Sequence, residues 1–86
     1  NPFNPSTTIP FAVPFAGGKL VPASVEIFNT LGQRVRLLVK GSLQPGYHRV
    51  DWDGRDGNGR NVGSGLYFYR VSVGKTAQVG KMMLIK

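Results

Sequence analysis

Leu66-Tyr67-Phe68-Tyr69-Arg70-Val71-Ser72-Val73, opened by Gly63-Ser64-Gly65 and closed by Gly74-Lys75, is the stretch on which the fold turns. Aromatic and β-branched residues dominate it, and such side chains fit a pleated, half-buried surface better than a helix. Successive side chains of a strand point to opposite faces. Tyr67, Tyr69, Val71 and Val73 therefore share one face, and Leu66, Phe68, Arg70 and Ser72 share the other. The segment is apolar on both sides over half its length, so it reads as a central strand rather than an edge.

Outward from this segment the same punctuation recurs. Runs at Thr7–Val13, Ser24–Asn29, Arg34–Val39, Tyr47–Trp52 and Ala77–Lys86 are separated by turn signals at Gly17-Gly18, Leu31-Gly32-Gln33 and Gln44-Pro45-Gly46. No window keeps apolar residues at helical spacing for more than a turn or two. The chain is expected to be all-β, a small antiparallel sandwich of about six to seven strands, since short strands at this spacing favour a sandwich over a barrel. Ile9, Phe11 and Val13 share one face of the first strand, Val25 and Ile27 oppose Ser24, Glu26 and Phe28 in the second, and Val50 and Trp52 form the apolar row of the fourth. In the third, alternation sets Val35, Leu37 and Val39 against Arg34, Arg36 and Lys40. Pro10 and Pro14 remove ladder donors and push the first strand to a sheet edge.

Composition bounds what such a domain can do. A chain of 86 residues buries only roughly 60–65% of its unfolded surface and does not divide into two cores, so residues 1–86 form one domain. At 41% hydrophobic and 17% charged it lies outside the disordered regime. Without cysteine, disulfides, thiolate catalysis and Cys-based metal sites are excluded together. One histidine, His48, and four acids, Glu26, Asp51, Asp53 and Asp56, supply little for acid–base chemistry, so an enzyme is not expected. No apolar run approaches the ~20 residues of a spanning helix. The start on Asn1 without Met leads to the expectation of a piece excised from a larger polypeptide, and if that protein is exported, its leader sits elsewhere.

The polar connection Asp51 to Gly65 is the unusual stretch. It is no Walker loop, because Arg60-Asn61 follow Gly59 where Lys and Ser or Thr are required, and it is no dinucleotide fingerprint, because the third glycine comes at 63. Asp51, Asp53, Asp56 and Asn58 could offer hard oxygens to calcium, although Arg55 occupies a ligand position of the usual loop. Asx turns onto neighbouring backbone N–H groups are the competing use of the same side chains. No cofactor is implied. His48 has no supporting nucleophile motif. The net charge of +7 invites nucleic acid, but the cations are scattered from Lys19 to Lys86 rather than gathered into a stripe, so no nucleic acid is expected. Trp52, Tyr47, Tyr67 and Tyr69 fit either a sugar-stacking platform or a core, and the core is the commoner use.

Two stretches, Asn1-Pro2-Phe3-Asn4-Pro5-Ser6-Thr7-Thr8-Ile9 and Phe28-Asn29-Thr30-Leu31-Gly32-Gln33-Arg34-Val35, begin a pattern that continues through Gly46-Tyr47-His48-Arg49-Val50-Asp51-Trp52-Asp53-Gly54-Arg55-Asp56 and Gly63-Ser64-Gly65-Leu66-Tyr67-Phe68-Tyr69-Arg70-Val71 to Lys81-Met82-Met83-Leu84-Ile85-Lys86. In order and spacing this resembles the type A C-terminal sorting domains of the type IX secretion system. The middle portion is also similar to the Ig-like domain of the bacterial flagellar hook-capping protein. The two ends favour the sorting domain. Leu20-Val21-Pro22-Ala23-Ser24 and Asn58-Gly59-Arg60-Asn61 depart modestly from the pattern.

The resemblance implies an Ig-like sandwich and a non-catalytic export signal. It directs a cargo domain lying N-terminal to it through the periplasm and the outer-membrane translocon, with an outer-membrane shuttle protein and a sortase-like peptidase as partners, to a secreted or cell-surface location. Lys81, Met82, Met83, Leu84, Ile85 and Lys86 are then the candidate receptor contact, and Asn1, Pro2, Phe3, Asn4 and Pro5 the candidate cargo boundary. Met82 and Leu84 would equally well complete the core. A structural Ig-like accessory domain and a carbohydrate-binding module of a secreted multidomain enzyme are the alternatives.

Overall fold

The computed structural model describes residues 6–85, which form six strands: β1 (Thr7–Val13), β2 (Val21–Phe28), β3 (Arg34–Leu43), β4 (Gly46–Trp52), β5 (Gly65–Val73) and β6 (Thr76–Leu84). All pairing is antiparallel. One sheet has the order β3-β2-β5-β6 and the other pairs β1 with β4. The two-sided apolar strand β5 lies between β2 and β6, as its composition requires. Among the described residues β1 pairs with β4 alone, and Pro10 sits opposite Arg49 in that pair, on an edge strand that tolerates a missing N–H.

The two sheets bury their facing sides against each other as an Ig-like sandwich. Ile9 and Val13 of β1 and Trp52 of β4 meet Val21, Ala23, Val25 and Ile27 of β2, Tyr67, Val71 and Val73 of β5, and Leu84 of β6. Each large side chain removed from water contributes about 1.5–3 kcal/mol. Trp52, Ile9, Ile27 and Val25 lie deepest. The Trp52 ring meets the Tyr67 ring edge-on, with centroids 5.1 Å apart and planes at 70°, the arrangement that ring quadrupoles favour. The Tyr67 hydroxyl donates to the Gly63 carbonyl at 2.7 Å, so its polar end is satisfied at the rim.

β2 begins at Val21 rather than Ser24. Pro22 is accommodated opposite Ser42 with its ring exposed, and its carbonyl accepts the Gly74 N–H at 2.8 Å. β3 likewise runs on to Leu43, and β6 spans Thr76 to Leu84 rather than Ala77 to Lys86.

The alternation expected of β3 is wrong at Leu37, for a definable reason. Val25 pairs with Val39 but Glu26 pairs with Leu37, and Ile27 pairs with Arg36 but Phe28 with Arg34, so Leu38 and Val35 are extra residues at two irregularities in the ladder. Each extra residue reverses the inward and outward sense of the positions beyond it. Val35, Leu38, Val39 and Leu43 pack against the core, whereas Leu37 is 37% exposed beside Glu26.

β5 and β6 join through Gly74-Lys75, with Gly74 at φ 60°. In their inward-facing pairs Tyr69 lies opposite Gly80, and a Cβ at Gly80 would overlap the Tyr69 ring. The glycine is therefore the floor on which the ring lies. Alanine at position 80 would ordinarily gain about 0.5–1 kcal/mol over glycine in a strand, but here it must first displace the ring. Gly80→Ala is expected to destabilise the domain by about 1 kcal/mol and to become neutral or stabilising in a Tyr69→Ala background. Denaturant midpoints of the four variants in that double-mutant cycle measure the reversal of sign.

Candidate functional site

The connection from β4 to β5 is ordered by its own carboxylates. Asp53 Oδ1 accepts the Arg55 backbone N–H at 3.1 Å and Arg36 Nη1 at 3.2 Å. Asp56 Oδ1 accepts the backbone N–H groups of Asn58 at 2.9 Å and Arg60 at 3.0 Å. These are Asx-type turns, the competing use of such side chains. The Arg60 backbone N–H foremost, with that of Asn58, holds the Asp56 carboxyl below its ordinary value of 3.8, against the opposing effect of burial. Asp51 is occupied elsewhere, accepting from Thr8 Oγ1 at 2.6 Å across the β1–β4 pair. Asp51, Asp53, Asp56 and Asn58 are thus not brought to a common point, and no group of three or more His, Asp or Glu side chains gathers among the described residues.

Two of the bonds that tie the loop to the sandwich converge on one atom. Trp52 Nε1 donates to the Arg55 carbonyl at 2.9 Å, and Arg36 Nη1 donates to the same oxygen at 3.1 Å. Arg36, expected beside Arg34 and Lys40 on an open face, is turned by the β3 irregularities onto this loop and is half-buried. The Gly57 N–H donates to the Val35 carbonyl at 3.1 Å, so one of the extra β3 residues also receives the loop.

The aromatic residues separate in the same way. Trp52 and Tyr67 are core and Tyr69 packs against it, leaving Tyr47, 94% exposed, without the others beside it. The four do not form a sugar-stacking platform. His48 stacks on Phe11 with centroids 5.4 Å apart, and its Nε2 hydrogen-bonds the Gln44 carbonyl at 2.7 Å.

The terminal strand divides its residues by face. Leu84 is buried at 2% exposure and Met82 packs against the core, while Lys81, Met83 and Ile85 are exposed. Alternation along β6 thus assigns two of the six candidate contact residues to folding and leaves three for solvent. Lys86 and the candidate boundary Asn1 to Pro5 lie outside the described residues.

An ionic node that local sequence does not announce sits on the outward side of the larger sheet. Glu26 Oε1 accepts from Arg70 Nη2 at 2.8 Å and Nε at 3.2 Å, and Oε2 accepts from Arg34 Nη1 at 3.3 Å. The Arg70 guanidinium also lies 5.2 Å from the centroid of Phe28, within cation–π range. Facing positions in the β3–β2–β5 ladder bring these residues together, although Glu26 and Arg70 are far apart in sequence.

Residues 11–78 match the family of the FlgD Ig-like domain, and the chain belongs to that family. Neither a curated protein nor a solved structure matches it significantly. The domain is a non-catalytic Ig-like module. The matched span stops short of both the Asn1–Ser6 opening and the Lys81–Lys86 ending.

The arginine contacts, led by the Arg70 hydrogen bond, hold the Glu26 carboxyl below its ordinary value of 4.5 against the opposing effect of burial. A carboxyl depressed by folding stabilises the native state fully above its unfolded value and loses that contribution as pH falls through the folded value. Stability should accordingly decline as pH drops below about 4.5, and the decline should be shallower in Glu26→Gln. Thermal midpoints recorded from pH 6 down to about pH 3 compare the two slopes.

Proposed function

We propose that this domain is a C-terminal sorting signal, read on the exposed side of its terminal strand by the type IX secretion machinery. The observation that carries the reading is the partition of β6 and its extension: Met82 and Leu84 anchor the strand, and Lys81, Met83 and Ile85 stand clear of the core. The motif pattern supports it by running from Asn1 to Lys86, beyond the residues 11–78 that match the FlgD Ig-like family. In this reading the translocon and an outer-membrane shuttle protein recognise the folded domain, a sortase-like peptidase acts at the cargo junction, and the cargo reaches the cell surface or the medium.

A structural accessory domain is the second reading, favoured by the family match over residues 11–78. The two differ in what the exposed side of β6 is for. A signal-peptide-bearing reporter fused to residues 1–86, expressed in a bacterium with type IX secretion, should reach the surface. A Lys81→Glu/Met83→Glu double variant should accumulate folded in the periplasm, because both side chains lie outside the core. Leu84→Asp should instead fail to fold, since it buries a charge at a core position. Protease accessibility on intact cells, with circular dichroism of the purified domains, reads location and folding separately. Export of the double variant at the wild-type level would leave the accessory-domain reading.

A further inference from the structure

The side of the four-stranded sheet that faces away from the core mixes apolar and charged residues, and no strand among the described residues covers it. Register aligns Leu37, Glu26, Arg70 and Val79 in one row across it, and Arg34, Phe28, Phe68 and Lys81 in the next, with Leu66 beside Met83. Phe28, Phe68 and Val79, with Arg70 and the Thr30–Gly32 turn, line an open groove of about 280 Å³. Val79 is 67% exposed. The net charge on the face around this groove is positive. Arg34, Arg70, Lys81 and Lys40 lie on this face and Glu26, already held by two arginines, is the acid among them. The other acids, Asp51, Asp53 and Asp56, belong to β4 and the loop after it.

The groove borders a sheet edge built to accept a strand. β6 pairs with β5 through nine residues without a register shift, and among the described residues nothing pairs with its other side. Of the other three edges, β1 carries Pro10 and β3 is broken by two irregularities, and β4 contributes no residue to the groove. Lys81 is the single charged residue along β6. A second copy of this chain would bring another +7 and set Lys81 among like charges. An acidic strand would meet Lys81 and Arg70 favourably.

We propose that the β6 edge and the Phe28–Phe68–Val79 groove together bind an extended acidic segment of another protein, which adds as a fifth strand and leans a large apolar side chain over Val79 toward Phe68. Backbone pairing supplies affinity, and the groove and cations supply selection. This binding does not depend on the export reading, since an accessory domain would present the same face.

The test uses the 86-residue chain and a fluorescent peptide of alternating Glu and Leu. Its controls are a twin of alternating Lys and Leu and a third peptide N-methylated at alternate amides. The Glu–Leu peptide should bind, shift the amide resonances of β6 and of Phe28 and Phe68, and slow hydrogen exchange along β6. The Lys–Leu twin should not bind, and N-methylation should weaken binding about tenfold or more. Val79→Lys adds a cation yet removes the apolar floor, so it should weaken the Glu–Leu peptide about tenfold at an unchanged melting temperature.

Tighter binding by Val79→Lys would overturn the proposal as charge attraction alone. Resonance shifts centred on Tyr47 and Arg49, equal binding of the N-methylated peptide, or no binding at all would do the same. So would preferential binding of phosphatidylglycerol vesicles without protection of the β6 amides, which would make the face a lipid contact.

Discussion

The Arg55 carbonyl is the atom through which the sandwich, its long loop and its irregular strand are joined. It accepts from the indole N–H of Trp52 and from the Arg36 guanidinium, so a fully buried core residue and a half-buried cation converge on one backbone oxygen. Trp52 belongs to the smaller sheet, and its ring rests against Tyr67 of the larger one. A buried indole whose N–H lacked a partner would forfeit about 1–3 kcal/mol, so the loop must return close to β4 immediately after Trp52. Gly54, at φ 75°, permits that return. Asp53 then accepts both the Arg55 N–H and the Arg36 guanidinium, holding the acceptor where the indole needs it.

Arg36 reaches that point only because β3 is irregular. In an unbroken ladder, position 36 would share a face with Arg34 and face solvent. The two extra residues, Val35 and Leu38, put Arg36 opposite Ile27 and send Leu37 outward instead. One backbone device thus satisfies the loop and exposes a leucine. The second irregularity restores the outward sense at Arg34, which meets Glu26, and the outward face of the larger sheet keeps an excess of cations around an aromatic pair.

Features that depend on local chemistry were legible in the amino-acid sequence. The two-sided apolarity of Leu66 to Val73 marks β5 as central, Pro10 marks β1 as an edge, and the six strands fall on the six runs that turn residues and Gly-rich connections separate. Features that depend on pairing were not. Arg34-Val35-Arg36-Leu37 alternates cleanly, and the only trace of an irregularity is the Leu37-Leu38 doublet, which breaks the period without saying which leucine turns inward. The Glu26–Arg70 contact is set by the β2–β5 register, and periodicity within a strand carries no information about register between strands. The candidate site divides on the same line. The inward and outward split of Met82, Met83 and Leu84 follows from alternation, whereas the fates of Asp51, Asp53 and Asp56 depend on which N–H groups the loop presents.

The terminal strand shows why folding and display are inseparable in this molecule. Met83 lies outward because Met82 and Leu84 lie inward, and Leu84 is held at 2% exposure only when β6 is paired with β5 and covered by the smaller sheet. In an unfolded chain the same residues have no common face. A receptor that needs Lys81, Met83 and Ile85 on one side therefore tests the whole core without touching it, including Trp52 and Ile9 on the far sheet. On the proposed sorting reading, this coupling allows a short exposed motif to report that the domain carrying it has folded, and it confines the cost of recognition to side chains that the core does not use.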